Sequence, residues 1–432
     1  MENISAWTLI LQQYFPIFTK PGAKIFSELI TGWILCTVRR TVTAIIPLAD
    51  PFFRRAHDAY HRFFPDAKFS MTELWKILAR LLITAFTPKG IIPLALDDTL
   101  FHRSGRKVEG AGSWRDAVRS TKTKIVYAWG LNLVVLTLQV QPPWGGEPLG
   151  LPINMRLHRK QEKTIIQLAE EMIEEITSWF SAREFRIVAD GFYASLAGTD
   201  LLHTTIISRM RRDAILYDLP PKRKSSGKGR PRKRGKILPK PEGLASHVRQ
   251  WTKVKFTGRG CKRTRLVYSR QVLWYKVSPS PVLLVISRDP AGKEKDDYFF
   301  TTDVNMKVSD VLAAYANRWA IEDTFKQTKQ NLGPHQLQTW ARKGPERAAA
   351  IGLWLYSMVW LWFCKPATTK KRFRILPWYT SKTTPSFADA LASLRRTLWN
   401  ERFIIMFGND TVHDQSCSAQ NLQSRVSTLR AK

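Results

Sequence analysis

The sequence predicts an α/β protein. Two observations carry this: short apolar, β-branched runs alternate with a helical stretch of clear amphipathic period, and two of those runs end abruptly on an aspartate. The runs lie at residues 91–96, 184–189 and 204–210, and the aspartates that close the first two are Asp97 and Asp190.

Taken in order, residues 1–88 are rich in aromatic, Leu and Ile residues at helical spacing, as in Leu74, Ile77, Leu78, Leu81 and Leu82 behind the plausible caps Ser70 and Thr72. A small helical N-terminal domain is expected there. Residues 91–96 read as a buried strand emerging at the carboxyl edge of a sheet at Asp97-Asp98-Thr99. Residues 124–140, dense in Val, Leu, Tyr and Trp, suit a strand pair. Residues 161–181 put Ile165, Leu168, Met172, Ile173 and Ile176 on one helical face and Glu170, Glu171, Glu174 and Glu175 mostly opposite, so a helix should lie there against the sheet. Residues 184–189 form a short strand ending at Asp190-Gly191, and another follows at 204–210. A basic, Pro/Gly-rich tract then leads into β-like segments at 251–256, 264–276, 282–287 and 298–302, an inserted, mostly β subdomain. A helix capped near Ser309-Asp310 should run through Leu312, Tyr315, Trp319, Glu322 and Phe325 to a stop at Gly333-Pro334, with a second helix over 345–364 behind it. The expected division is therefore 1–88 helical, 89–210 and 306–365 the two parts of the core domain, 211–305 basic linker and β-rich insertion, and 366–432 a basic tail.

Lys and Arg number 68 against 35 Asp and Glu, a net charge of +33, far more than solubility requires. A polyanion is the implied partner. A membrane surface would satisfy that charge, but no lipidation motif or basic amphipathic helix accompanies it. The apolar stretch 348–364 falls short of the roughly 20 residues that span a bilayer and reads as a buried helix. Glu2, Lys24 and Glu28 break up any secretory signal, so a cytoplasmic, nucleoid-associated protein is expected. Cys36, Cys261, Cys364 and Cys417 are isolated, without paired ligands at zinc spacing.

The chemistry follows from three acids. Cutting a phosphodiester without a covalent enzyme intermediate calls for two divalent ions about 4 Å apart held by bridging carboxylates. Asp97 and Asp190, at the ends of adjacent parallel strands, would meet at one sheet edge, and the third acid must come from a helix crossing it. Tyr315, Arg318, Glu322 and Lys329 follow the pattern Y-x2-R-x3-E-x6-K and project within about 60° of one another on an ideal helix. A Glu flanked by cations suits a metal ligand between phosphate-binding groups.

On these residues the chain resembles the insertion-sequence transposases whose RNase H-like DDE domain carries a Y-R-E-K signature and a β-rich insertion before the last glutamate. The resemblance spans roughly residues 90–365, with Asp97 in the D-x-T sequence Asp97-Asp98-Thr99, Asp190 in ADGFY and Glu322 in RWAIEDTFKQTK. The gap of 132 residues between Asp190 and Glu322 fits an inserted β subdomain. The resemblance implies a mixed sheet with helices on both faces and two Mg2+ or Mn2+ ions on Asp97, Asp190 and Glu322. It further implies DNA contacts from Tyr315, Arg318 and Lys329, cleavage at inverted-repeat ends of double-stranded DNA, strand transfer into target DNA, and a homodimer at synapsis. Asp98 is the alternative first ligand.

The basic tract carries ten Lys/Arg and no acid, and its Lys228-Gly229-Arg230-Pro231-Arg232-Lys233 is similar to an AT-hook core, so Lys228, Arg230, Arg232 and Lys233 are candidate minor-groove contacts. Plainer readings exist: solvated turns for both aspartates, an exposed ion-paired helix face for the Tyr315–Lys329 set, and an inert linker for the tract. His102, Arg103, His158 and Arg159 suit ordinary surface roles, and Trp319 and Trp354 read as core. Two rivals stand beside the transposase: a DNA-binding protein with an idle site, and a nuclease of the same fold.

Overall fold

The computed structural model describes residues 6–121, 123–221, 232–364, 377–378 and 380–407. Five helices open the chain: α1 (Ala6–Gln12), α2 (Lys20–Leu35), α3 (Val42–Ala49), α4 (His57–Asp66) and α5 (Met71–Phe86). Three are capped by a hydroxyl, the Ser70 side chain accepting from the Glu73 amide at α5, and Thr19 and Thr41 doing the same for α2 and α3.

The strands that follow are β1 (Ile92–His102), β2 (Gly112–Arg115), β3 (Tyr127–Val140), β4 (Leu149–His158), β5 (Phe185–Ala189), β6 (Thr204–Arg209), β7 (Thr252–Gly258), β8 (Cys261–Val272), β9 (Val282–Arg288) and β10 (Asp297–Thr301). All ten belong to one mixed sheet in the order β2-β3-β1-β5-β6-β10-β9-β8-β7, with β4 also on β3. β1, β5 and β6 are parallel neighbours, while β3 and β4 pair antiparallel beside β1, which is the RNase H-like arrangement. The β segments after residue 250 extend this same sheet from β6 through an antiparallel β10. β7 is its free edge, with Lys253, Lys255 and Thr257 exposed along it.

Helix α6 (Ile165–Trp179) begins with a capping box between Thr164 and Gln167 and buries Leu168, Ala169, Met172, Ile173 and Ile176. A short helix, α7 (Pro241–His247), precedes β7. After β10 come α8 (Val308–Asn317) and α9 (Ala320–Gln327), a π-turn over Thr328–Leu332, and a stop at Gly333, whose φ of 56° is the left-handed conformation that ends helices. α10 (Gly344–Phe363) and α11 (Phe387–Phe407) close the described chain. α10 is buried along almost its whole length, and among the described residues no helix is long and apolar enough to cross a membrane.

One hydrophobic core joins the N-terminal helices, β1, β3, β4, β5, α6, α9, α10 and α11. Tyr14 meets Trp354 of α10 edge-on at 5.0 Å, Phe26 lies 5.5 Å from the same ring, and Trp33 donates its indole N–H to the Leu332 carbonyl at 2.7 Å. Two smaller clusters pack the strands beyond β5, one of them seating Val311, Leu312 and Tyr315 of α8 against Val188, Ile207, Val285 and Phe299.

Four elements differ from expectation. β1 does not stop at Asp97 but runs on to His102, because the long antiparallel β3 pairs with it from Leu94 to His102; only the parallel partner β5 ends opposite Leu96. Residues 124–140 form one strand, β3, whose partners are β1, β2 and β4. The expected single helix over 309–333 is broken at Arg318-Trp319 and widened into a π-turn at its end. It starts at Val308 behind Lys307, with no side-chain cap from Ser309.

Candidate active site

The site is built on β1, where neighbouring side chains alternate between faces of the sheet. The Asp97 carboxylate, 18% exposed, faces the α8–α9 junction, where Arg318 donates from Nη1 to its Oδ2 at 2.6 Å. The same guanidinium donates from Nη2 to Oε1 of Glu322 at 3.0 Å, one turn on. The junction therefore brings Asp97 and Glu322, 225 positions apart in the chain, to either side of one cation. Asp98 faces the other way and accepts from the Tyr193 hydroxyl at 3.3 Å.

Asp190 follows β5 directly, in register with Asp97, since β5 pairs β1 up to Ala189 opposite Leu96. Its carboxylate caps the turn Gly191–Gly198 by accepting from the Phe192 amide at 2.8 Å, and the Ser208 hydroxyl holds its carbonyl at 2.6 Å. Asp97 and Asp98 both feel the Asp190 carboxylate. Burial lifts the Asp97 carboxyl to about 7, with Arg318 pulling it down and Asp98 and Asp190 pushing it up; burial and then Asp190 raise Asp98 as well. Burial beside these carboxylates also pushes the Tyr193 hydroxyl well above its ordinary range.

The remaining signature residues lie along the same covered face. Lys329, in the π-turn, donates to the Thr99 hydroxyl at 2.8 Å and stands 5.5 Å over the Phe101 ring; burial lowers its ammonium to about 8. The Tyr315 ring packs against Phe299 at 4.5 Å, the planes tilted by 42°, with the guanidinium of Arg318 at 5.6 Å from its ring. Glycine at 150 lets α9 come this close: a Cβ there would stand 3.1 Å from the backbone of Ala320 and Ile321, and Thr324 donates its hydroxyl to the Gly150 carbonyl at 2.5 Å.

Among the described residues no three His, Cys, Asp or Glu side chains stand close enough to hold one metal ion between them. The donor set is nonetheless of the right chemistry, carboxylate oxygens that suit Mg2+ or Mn2+, and the cation now between Asp97 and Glu322 is Arg318.

Of the tract residues, Lys228 and Arg230 lie outside the described residues, and Arg232 and Lys233 are exposed. His102 pairs with Asp116 at 2.9 Å, His158 packs at a tilt against Trp114 at 4.6 Å and Arg159 pairs with Glu346 at 3.1 Å. Trp354 is core, but Trp319 is 44% exposed, a correction to its reading as core; it sits at the helix break.

Sequence reasoning passed over Arg259. It occupies the left-handed position, φ 52°, in the β7–β8 turn Gly258-Arg259-Gly260. Its amide donates to the Asn317 side chain at 2.9 Å, and its guanidinium lies 4.2 Å over the Trp319 ring, where Glu322 and Arg318 are among the charges acting on it. The glycines on both sides of it were the available signal of a hairpin tip.

An RNase H-like sheet with aspartates on two adjacent parallel strands and a glutamate on the crossing helix defines a metal-dependent nucleic-acid-cutting class. A family model for the DDE superfamily endonuclease matches residues 13–276, and the chain belongs to that family. No curated protein matches the chain. Family membership makes it a nuclease-type enzyme whose substrate is DNA.

Proposed function

We propose that the chain is a transposase that cleaves DNA at the inverted-repeat ends of its element and joins the freed 3′-hydroxyl to target DNA, with Asp97, Asp190 and Glu322 as its catalytic carboxylates. The observation that supports this best is the meeting of Asp97 and Glu322 on Arg318 while Asp190 stands in register on the next strand. Mg2+ or Mn2+ bound by the three carboxylates would activate the attacking oxygen and neutralise charge on the leaving one. Arg318 and Lys329, both largely buried on this face, hold the phosphate backbone beside the cut, and Tyr315 orients the strand. The helical region 1–88 recognises the element end, Arg232 and Lys233 add backbone contacts, and two chains synapse as a dimer.

The test uses the full chain, a divalent ion and DNA carrying the inverted repeats that flank its gene. Asp97→Asn, Asp190→Asn and Glu322→Gln should each abolish cleavage, a loss of at least about a thousandfold for a unit that works as one, with DNA binding kept. A variant that still cuts removes its residue from the site. Activity in Asp97→Asn with none in Asp98→Asn moves the first ligand to Asp98. Cut ends that never join to target DNA would leave a nuclease, and binding without any cutting an idle DNA-binding protein.

A further inference from the structure

Beyond the carboxylates, β1 runs into a groove of about 760 Å³ between the loop after it, the Arg39 segment of the N-terminal helices and the chain from His335 to Trp340. Asp97, Thr99 and Phe101 share one face of β1, two residues or about 6.8 Å apart, and Arg103 follows directly after the strand. That face is covered in turn by Arg318 on Asp97, by Lys329 on Thr99, and by Arg103 itself, which donates to the carbonyls of His335 and Leu337. A row of cations therefore leads from the candidate active site to the groove.

Among the described residues no Asp or Glu lines it. Arg39, Arg106 and Lys107 are exposed at its walls, and no ion-pair partner is described for any of them. Arg103 Nε and Nη2 and His335 Nδ1 are buried without a hydrogen-bond partner. Burial, and after it the nearby cations Arg103, Lys329, His102 and Arg40, push the His335 imidazole down to about 4. On the rim Trp340 is 60% exposed. The volume is that of a site for a drug-sized molecule, too small for a duplex whose major groove alone is about 12 Å wide. A cationic channel with one exposed aromatic ring is what a single strand needs, phosphates on the cations and a base on the ring.

We infer that this groove binds unpaired nucleotides of the DNA strand leading away from the scissile phosphate, with their phosphates on Arg39, Arg103, Arg106 and Lys107 and a base stacked on Trp340. The inference rests on the reading of the chain as a DNA-cutting enzyme and adds a single-strand subsite to it. Strand ends unpaired near the cut are thereby held apart from their complement.

The experiment measures binding by the full chain, without divalent ion, to a labelled blunt duplex of the gene-flanking repeat and to the same duplex with a short oligothymidylate overhang on either strand. One overhang should tighten binding about tenfold, and Trp340→Ala should remove about that factor, the loss expected of one stacking ring. Arg106→Ala with Lys107→Ala should lower the salt slope for the overhang duplex by about 1.4 units, two single-strand phosphate contacts at about 0.7 each. Both variants should keep the blunt-duplex affinity and the thermal midpoint of the parent. Iodouracil in the overhang should photocrosslink to the peptide carrying Trp340. An overhang that adds nothing, or an advantage that survives both changes, overturns the subsite while leaving the cleavage reading intact. Equal losses for blunt and overhang DNA overturn it in favour of a duplex contact. A chain that binds neither DNA overturns both readings together.

Discussion

Asp97 is charged only at a cost, and the cost has a sign that can be measured. Burial, more than its neighbours, lifts its carboxyl from 3.8 to about 7, so between those values the folded chain binds a proton the unfolded chain has lost. The stability this contributes is complete below about pH 4 and is lost as the pH rises through about 7. Asp97→Asn keeps the side chain's size and cannot titrate, so in a metal-free buffer the variant should gain stability relative to the parent from pH 5 to pH 8. Chemical denaturation at the two pH values gives the comparison, and an unchanged difference would mean that the carboxylate is not held in this environment. Metal addition should offset the loss in the parent at pH 8 and do so less at pH 5, because the ligand must first lose its proton.

At the scale of elements, the position of α9 depends on one close approach. Its backbone passes β4 where a Cβ on residue 150 would stand 3.1 Å away, and Thr324 ties the two together through the Gly150 carbonyl. Gly150→Ala should push α9 outward by a few tenths of an ångström and carry Glu322 and Arg318 away from Asp97. Misplacement on the order of 1 Å costs up to about a hundredfold in rate, so a smaller shift should lower cleavage several-fold to tenfold while the protein still melts cooperatively; normal cleavage by Gly150→Ala would show that α9 has slack. Much of this element scale was legible beforehand. The runs closing on Asp97 and Asp190 are strands, and the spacing from Tyr315 to Lys329 is helical, because apolar period and abrupt polar stops are local signals. What escaped was set by partners far along the chain. β1 continues past Asp97 only because β3 pairs with it, and periodicity cannot register the break at Arg318-Trp319, where two residues interrupt the helix while keeping right-handed helical dihedrals. Trp319 read as core because an aromatic beside Ala320 and Ile321 ordinarily is; it stands at the break instead, exposed apart from the ring face that the Arg259 guanidinium covers from its hairpin tip.

Across the whole molecule, the N-terminal helices and the sheet share one core. Tyr14 and Phe26 lie on Trp354, Trp33 holds the Leu332 carbonyl, and Arg347 of α10 reaches back to the Phe64 carbonyl at 3.1 Å. Removing residues 1–88 would strip α10 of aromatic partners and leave buried donors unpaired, each costing about 1–3 kcal/mol. A chain starting at residue 89 should therefore be insoluble or bind hydrophobic dyes without a cooperative melt; a folded monomer would show that the helical region is an independent unit. The opposite end of the sheet poses a different problem. β7 leaves its outer row of amides and carbonyls unpaired, the kind of border on which a second molecule's strand can dock and start a growing assembly. Lys253 and Lys255 stand along that border. A like edge brought alongside would set lysine against lysine, so this border of the sheet carries its own guard against edge-to-edge growth into fibres.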